Sequence, residues 1–139
     1  MKFGSQLKVY RAQWDDMAAY IRTMEAGRWN SIWFPDHFLP PTPISGIPAE
    51  QDEQNPAWEA FVPLAVVAGM TKRLKLGTLV LGNTYRNPAL VAKMAAELDQ
   101  ASKGRFILGI GAGWYEREHR AYGWNFPGMK ERQDRLEEA

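Results

Sequence analysis

The sequence predicts an α/β fold of β-α units around a parallel sheet, and three observations predict it. Its strand-like segments, "SIWF" at 31–34, "LKLGTLVLG" at 74–82 and "RFILGIG" at 105–111, read as nearly continuous apolar runs, the pattern of a parallel sheet covered on both faces. They alternate with helix-period segments at β-α spacing. Basic residues precede three strands (Arg28; Lys72 and Arg73; Arg105), while Asp36-His37, Gly82-Asn83 and Gly111-Ala112-Gly113 follow them. That sorting puts charge on the N-terminal rim and candidate ligand groups on the C-terminal rim, where such sheets bind ligands. Four units do not close a barrel, so the residues leave two architectures open: an open sheet of the flavodoxin type, or about half of an eight-unit barrel.

Each element has a local reason. Lys2 to Leu7 reads as the first strand. Asp15 or Asp16 caps a helix in which Met17, Ile21 and Met24 recur at i, i+4 and i+7, and Gly27 supplies a positive-φ stop. Ser31 to Phe34 is the second strand. Residues 38–54 carry four prolines and no periodicity, which marks a long loop inside one domain rather than a linker between two. Asn55-Pro56-Ala57 opens a helix, with Asn as N-cap and Pro at its first position, that continues through Trp58, Phe61, Val62 and Ala65 to about Gly69. The third strand is 74–82. Asn87-Pro88-Ala89 repeats the opening for a helix whose apolar face holds Leu90, Val91, Met94, Ala95 and Leu98. The fourth strand is 105–111, and "KERQDRLEEA" reads as the first turns of an exposed helix. Residues 1–139 are expected to form a single domain.

Composition narrows the function. The 139 residues are 45% apolar, enough for a sizeable core, and the 17 basic against 16 acidic side chains leave a net charge of +1. No excess field is available to hold nucleic acid or an anionic membrane. Cysteine is absent, which excludes disulfides, thiolate metal sites and a cysteine nucleophile. The N-terminus has no continuous apolar segment of the secretory type, and no apolar run approaches the ~18 residues needed to cross a bilayer. The expected location is the cytoplasm and the expected partner a small molecule.

Among chemistry-bearing residues, Asp36-His37 follows Pro35, which ends strand pairing so that both side chains emerge at the rim. From residue type alone, His37 is either a proton-exchanging group or the partner of an Asp36 turn cap. "GIGAGW" at 109–114 is not a dinucleotide fingerprint, because the third glycine would fall at Trp114, but residues 111–113 are small enough for backbone N–H groups to approach a ligand. Glu116, Glu118 and His119 lack recognised metal-ligand spacing and read as solvated surface. Trp29, Trp33 and Trp58 read as core or helix–sheet packing.

Taken together, "SIWFPDHF", "RLKLGTLVLGNTYRNPALVAKMAAELDQASKGRFILGIGAGWYEREHRAYG" and "RQDRLEEA" resemble the N-terminal half of the bacterial luciferase-like family, the flavin- and deazaflavin-dependent TIM-barrel oxidoreductases. The resemblance implies about half of a TIM (β/α)8 barrel, with FMN or the deazaflavin coenzyme F420 across its C-terminal mouth. It implies His37 as the proton donor or acceptor. The expected cofactor contacts are Asp36, Leu79, Val80, Gly111, Ala112, Gly113 and Trp114, with a cis peptide at Leu79-Val80 bracing the ring. The last four strands are absent, and with them the family's phosphate-holding residues. Sugar-phosphate dehydrogenases of the family carry a carboxylate where Trp114 stands, so an aromatic wall here suits a bulkier or more apolar substrate. The implied activity is hydride transfer with F420 or FMN-dependent monooxygenation of a small organic molecule, and the alternative is a non-catalytic half-barrel serving folding or interaction. The isolated chain is expected to be inactive, to bind cofactor weakly, and to self-associate through open barrel edges that expose an apolar inner face.

Overall fold

The computed structural model describes residues 1–41 and 57–139. The chain runs β1 (Gly4–Gln6), α1 (Trp14–Ala26), β2 (Ser31–Phe34), α2 (Phe61–Met70), β3 (Lys75–Thr78), β4 (Leu81–Gly82), α3 (Pro88–Ser102), β5 (Phe106–Ile107), β6 (Ile110–Gly111), α4 (Glu116–Tyr122) and α5 (Met129–Glu138). β1, β2, β3 and β5 form one parallel sheet in that order, and β4 pairs with β6, also in parallel. The expected third and fourth strands are therefore each interrupted, at Leu79-Val80 and at Leu108-Gly109. Across the gap, the Thr78 hydroxyl donates to the Gly109 carbonyl at 2.7 Å and accepts the Gly109 N–H at 2.9 Å. Leu81 and Asn83 N–H then resume the ladder on the carbonyls of Gly109 and Gly111.

Strand periodicity sends Ile32, Phe34, Leu74 and Leu76 toward the helices. There they are fully buried against Met17, Ile21 and Met24 of α1, Leu64 and Val67 of α2, and Val91 and Leu98 of α3. The opposite face is less apolar than expected. It carries Ser31 and Lys75, and the Trp33 ring occupies the space above Gly4 and Gly77, where any Cβ would come within 2.7 Å of the indole. Trp33 Nε1 donates to the Ser31 hydroxyl at 3.0 Å.

Several local expectations are corrected. Asn55 and Pro56 lie outside the described residues, and α2 begins at Phe61, where the Glu59 carboxylate accepts the Phe61 and Val62 N–H groups. On α2 it is Phe61, Pro63, Leu64, Val67 and Ala68 that are buried, with Val62 exposed; on α3, Leu90 is exposed. Gly27 ends α1 with φ −88°, not in the left-handed region, and its N–H closes on the Thr23 and Met24 carbonyls. Trp29 is partly packed and 38% exposed at the rim. Asn87 caps α3 as expected, accepting the Ala89 N–H at 2.9 Å.

The N-terminal rim is a set of helix-end caps rather than a decoration of free charge. Arg73 donates to the Met24, Glu25, Gly27 and Trp29 carbonyls, while Glu25 accepts the N–H groups of Lys72, Arg73 and Leu74. Arg105 donates to the Ala68, Thr71, Leu74 and Ser102 carbonyls and to the Thr71 hydroxyl, all at 2.8–3.0 Å. These groups satisfy the carbonyls that helix C-termini leave open.

Candidate active site at the C-terminal mouth

The strand ends converge on a cavity of about 210 Å³ bordered by Tyr10, Asp36, His37, Leu79, Val80, Tyr85, Gly113 and Trp114 among others. At its edge, the His37 ring keeps 12% of its side-chain surface exposed, and its Nδ1 lies 3.1 and 3.2 Å from the two carboxylate oxygens of Glu118. A carboxylate only accepts, so Nδ1 carries a proton, which makes Nε2 the acceptor nitrogen of the neutral ring. Tyr10, Trp114 and Tyr115 enclose the imidazole at 5.6–5.9 Å between ring centroids.

Glu118, on α4, has no exposed side-chain surface. Besides His37 it accepts the N–H groups of Phe38 at 2.6 Å and Leu39 at 2.9 Å and the Tyr85 hydroxyl at 2.5 Å. Burial alone would raise its pKa, but the His37, Leu39 and Tyr85 hydrogen bonds outweigh that and hold it below the usual carboxylate value. The same carboxylate pushes two phenols upward: Tyr85 through burial and then its hydrogen bond to Glu118, Tyr10 through burial and then the charges of Glu118 and Asp36.

Asp36 is equally enclosed, with no exposed side-chain surface. Arg86 grips it with both arms, Nη1 to Oδ2 at 2.7 Å and Nη2 to Oδ1 at 3.0 Å, and the Gly82 and Ala60 N–H groups complete its shell at 3.1 and 3.4 Å. Arg86 also reaches Glu59 at 2.7 Å and lies over the Phe38 and Phe61 rings. The Asp36 carboxylate thus ties β2 to β4, α2 and the turn before α3. With its oxygens held by these donors, it braces the mouth while still bordering the cavity.

On the far side of the cavity, the Leu79-Val80 peptide is cis, as the resemblance implies. Both side chains are nearly half exposed, at 46% and 45%. Gly111 lies against Val80, where a Cβ would sit 3.0 Å from Cγ2. Gly113 adopts φ +77° and leaves no room for a Cβ, which would fall 2.6 Å from the Thr84 hydroxyl. The turn after Ala112 therefore needs glycine at 113, while at 111 a side chain would press on Val80. Trp114 follows with 62% exposure, stacked on Tyr115 at 5.1 Å and 29°.

Glu116, Glu118 and His119 do not share a solvated surface. Glu116 is exposed and pairs with Arg120, but Glu118 and His119 are fully buried. His119 donates from Nδ1 to the Tyr115 carbonyl at 2.9 Å and meets the Thr84 hydroxyl at 2.7 Å through Nε2. It is a satisfied core histidine linking α4 to the β4–α3 turn. Sequence reasoning passed over Glu118, Tyr85 and Arg86 as site residues. A signal existed for Glu118: it stands three residues after Tyr115 and four before Tyr122, a carboxylate on an aromatic helix stripe.

Parallel β-α units with an anchored imidazole and a glycine-lined, half-apolar cavity at the strand C-termini define a barrel-type ligand site. The luciferase-like monooxygenase family model matches residues 1–139, and the chain belongs to that family. An F420-dependent glucose-6-phosphate dehydrogenase of Kineococcus radiotolerans is 42% identical, over 100% of this chain and 39% of its own length. The alkanal monooxygenase alpha chain of Photorhabdus luminescens is 28% identical, over 88% of this chain and 33% of its own. A solved F420-dependent secondary alcohol dehydrogenase in complex with an F420-acetone adduct shares the fold with TM-score 0.78 at 24% identity, covering 96% of this chain and 38% of that chain. The fold class is accordingly that of these TIM-barrel enzymes, and the chain spans well under half the length of such relatives.

Proposed function

We propose that these residues form the proton-handling half of an F420-dependent oxidoreductase site acting on a small organic molecule. The observation that carries this is His37 at the mouth, its Nδ1 fixed by a buried carboxylate and its Nε2 the acceptor nitrogen of the neutral ring. The residues fit a flat ring. Leu79 and Val80 offer an apolar rail, and the close approach at Gly111 and Gly113 leaves backbone within reach. Bound there, a deazaflavin supplies the hydride acceptor or donor. His37 gives or takes the proton at Nε2, Glu118 holds the ring orientation, and Asp36 with Arg86 keeps the β2 end and the β4–α3 turn in register beneath it. No Lys or Arg is among the described residues bordering the cavity, so a phosphorylated tail finds its partners elsewhere in a closed barrel. Deazaflavin is preferred to FMN because, over most of the chain, an F420-dependent relative is 42% identical against 28% for an alkanal monooxygenase alpha chain.

Titration of the protein with F420 and with FMN, followed by absorbance and cofactor fluorescence, tests this. A preference for F420, lost when Leu79 and Val80 are both replaced by Asp, is expected. Preference for FMN, with oxygen uptake in the presence of reduced flavin, transfers the reading to monooxygenation; binding of neither by a barrel-complete protein rejects both.

A further inference from the structure

Resting on the oxidoreductase reading, we propose that Tyr85 is a positioning residue for His37 that acts through Glu118. Its hydroxyl holds one carboxylate oxygen and takes up part of its charge, so the carboxylate steers the imidazole without binding its proton too tightly. Three observations carry this. The Tyr85 hydroxyl donates to Glu118 Oε2 at 2.5 Å, and the same oxygen lies 3.2 Å from His37 Nδ1, so phenol and imidazole share one acceptor. The phenol is also held in place. Phe38, His119 and Trp124 surround its ring at 4.9–5.3 Å between centroids, and Gly82 makes room for it, since a Cβ there would fall 2.4 Å from a Tyr85 ring carbon. Finally, burial and then the hydrogen bond to Glu118 push the Tyr85 pKa up, so the hydroxyl stays a donor throughout the neutral range. Tyr85 and Glu118 are themselves buried, and none of this depends on an exposed face.

The chemistry follows from how a carboxylate divides its charge. Each donor to a carboxylate stabilises its charged form and makes it a weaker base. Against the upward push of burial, the donations of His37, Leu39 and Tyr85 hold Glu118 below the usual carboxylate value. When His37 takes a proton, the imidazolium lies against that same carboxylate. A Glu118 stripped of the phenol would hold it more strongly and let the proton go less readily. The other groups facing the pair leave this role to Tyr85. Phe38 and Leu39 donate from backbone N–H groups. Tyr10 has its phenol pKa raised chiefly by burial and then by the charges of Glu118 and Asp36, and Tyr115 meets the imidazole with its ring. His119, behind Tyr85, is satisfied by the Tyr115 carbonyl and the Thr84 hydroxyl, and Asp36 is balanced by Arg86, which Glu59 shares. Tyr85 is thus a side chain through which Glu118 can be tuned with His37 itself unaltered.

The test needs no cofactor. In a barrel-complete protein, the Glu118 carboxyl carbon and the His37 ring nitrogens are followed by NMR as pH is varied. The parent is compared with Tyr85→Phe and with 3-fluorotyrosine placed at position 85, whose fluorine makes the hydroxyl a stronger donor. Tyr85→Phe is expected to move both titration midpoints up by roughly half to one pH unit, and fluorotyrosine to move both down. The midpoints belong to the coupled pair, so their joint movement, opposite in sign for the two replacements, is a signature that a merely structural Tyr85 would not produce. Midpoints unchanged in both proteins, or a Glu118 shift that His37 does not follow, would overturn the positioning role. If Tyr85→Phe does not fold, the fluorotyrosine protein decides alone, because it keeps both ring and hydroxyl. These midpoints are read without F420, so a failed F420 titration sinks the oxidoreductase reading and leaves this result standing, and the converse holds.

Discussion

Removing the Glu118 carboxylate should cost the fold a large part of its stability. Glu118→Ala leaves the part-buried Phe38 and Leu39 N–H groups without their acceptor, while the buried Tyr85 hydroxyl and His37 Nδ1–H lose theirs too. A buried donor left unsatisfied costs roughly 1–3 kcal/mol, and His37, partly exposed, recovers some of its loss from solvent. The two backbone donors and Tyr85 together give an expected destabilisation of about 4 kcal/mol, within the range for breaking a buried charged pair. Against a domain stability of ~5–15 kcal/mol this is a large fraction. Glu118→Gln keeps one oxygen for the backbone donors but turns an amide N–H toward other donors, so roughly half that cost is expected. Urea unfolding followed by tryptophan fluorescence at neutral pH measures both. The pH dependence follows from the sign of the shift. Glu118 is lowered from 4.5 in the folded state, so its contribution is complete above that value and is lost as pH falls through it toward the folded pKa. Parent and Glu118→Gln should therefore converge in acid. A Glu118→Ala cost under ~1 kcal/mol, or a parent–Gln difference that widens in acid, would refute the reasoning.

In a barrel-complete protein, His37→Ala should lower turnover by on the order of 10²–10⁴ with cofactor affinity little changed; unchanged turnover with an intact fold removes the proton-transfer role. Asp36→Ala should cost about 2–3 kcal/mol, because it leaves the Arg86 guanidinium with Glu59 as its remaining carboxylate and the Gly82 N–H without an acceptor, and the Asp36→Ala/Arg86→Met double variant should recover part of that in the same urea assay; equal costs for single and double variants would show that the pair is not coupled. The chain alone is expected to self-associate through the open edges at β1 and at β5 and β6. Sedimentation velocity at micromolar concentration checks this, and a compact monomer rejects it.

The order of strands and helices was legible because continuous apolar runs and period-3.6 patterns are local properties of the sequence. So was the Asn87 cap, which is written in three consecutive residues. The break at 79–80 was signalled by the cis peptide that the resemblance implies, whereas the interruption at 108–109 was not legible, since it depends on how one strand meets the next. Arg73 and Arg105 look like rim charge in one dimension and become carbonyl caps only when helix ends 30 to 50 residues away are brought to them. At the mouth, His37 could be singled out by its position after Pro35. Its carboxylate partner could not, because Glu118 lies 81 positions later amid charges that resemble a solvated face. Asp36 was placed correctly at the strand end, but its direction is set by Arg86, a residue that nothing local connects to it.

The Thr78–Gly109 exchange keys one strand to the other. Parallel strands of similar apolar composition can slide by two residues and still keep every side chain on its proper face, so hydrophobic pattern alone would leave β3 and β5 with neighbouring misalignments of similar energy. A two-residue slide would bring Leu76 or Val80 opposite Gly109, and neither has a hydroxyl to offer its N–H and carbonyl. This close approach also requires glycine at 109, since a Cβ there would fall 2.3 Å from the Thr78 carbonyl oxygen. The detour that lets Leu79 and Val80 line the cavity thus doubles as an alignment mark, which fixes how the two strands are counted off before any ligand arrives.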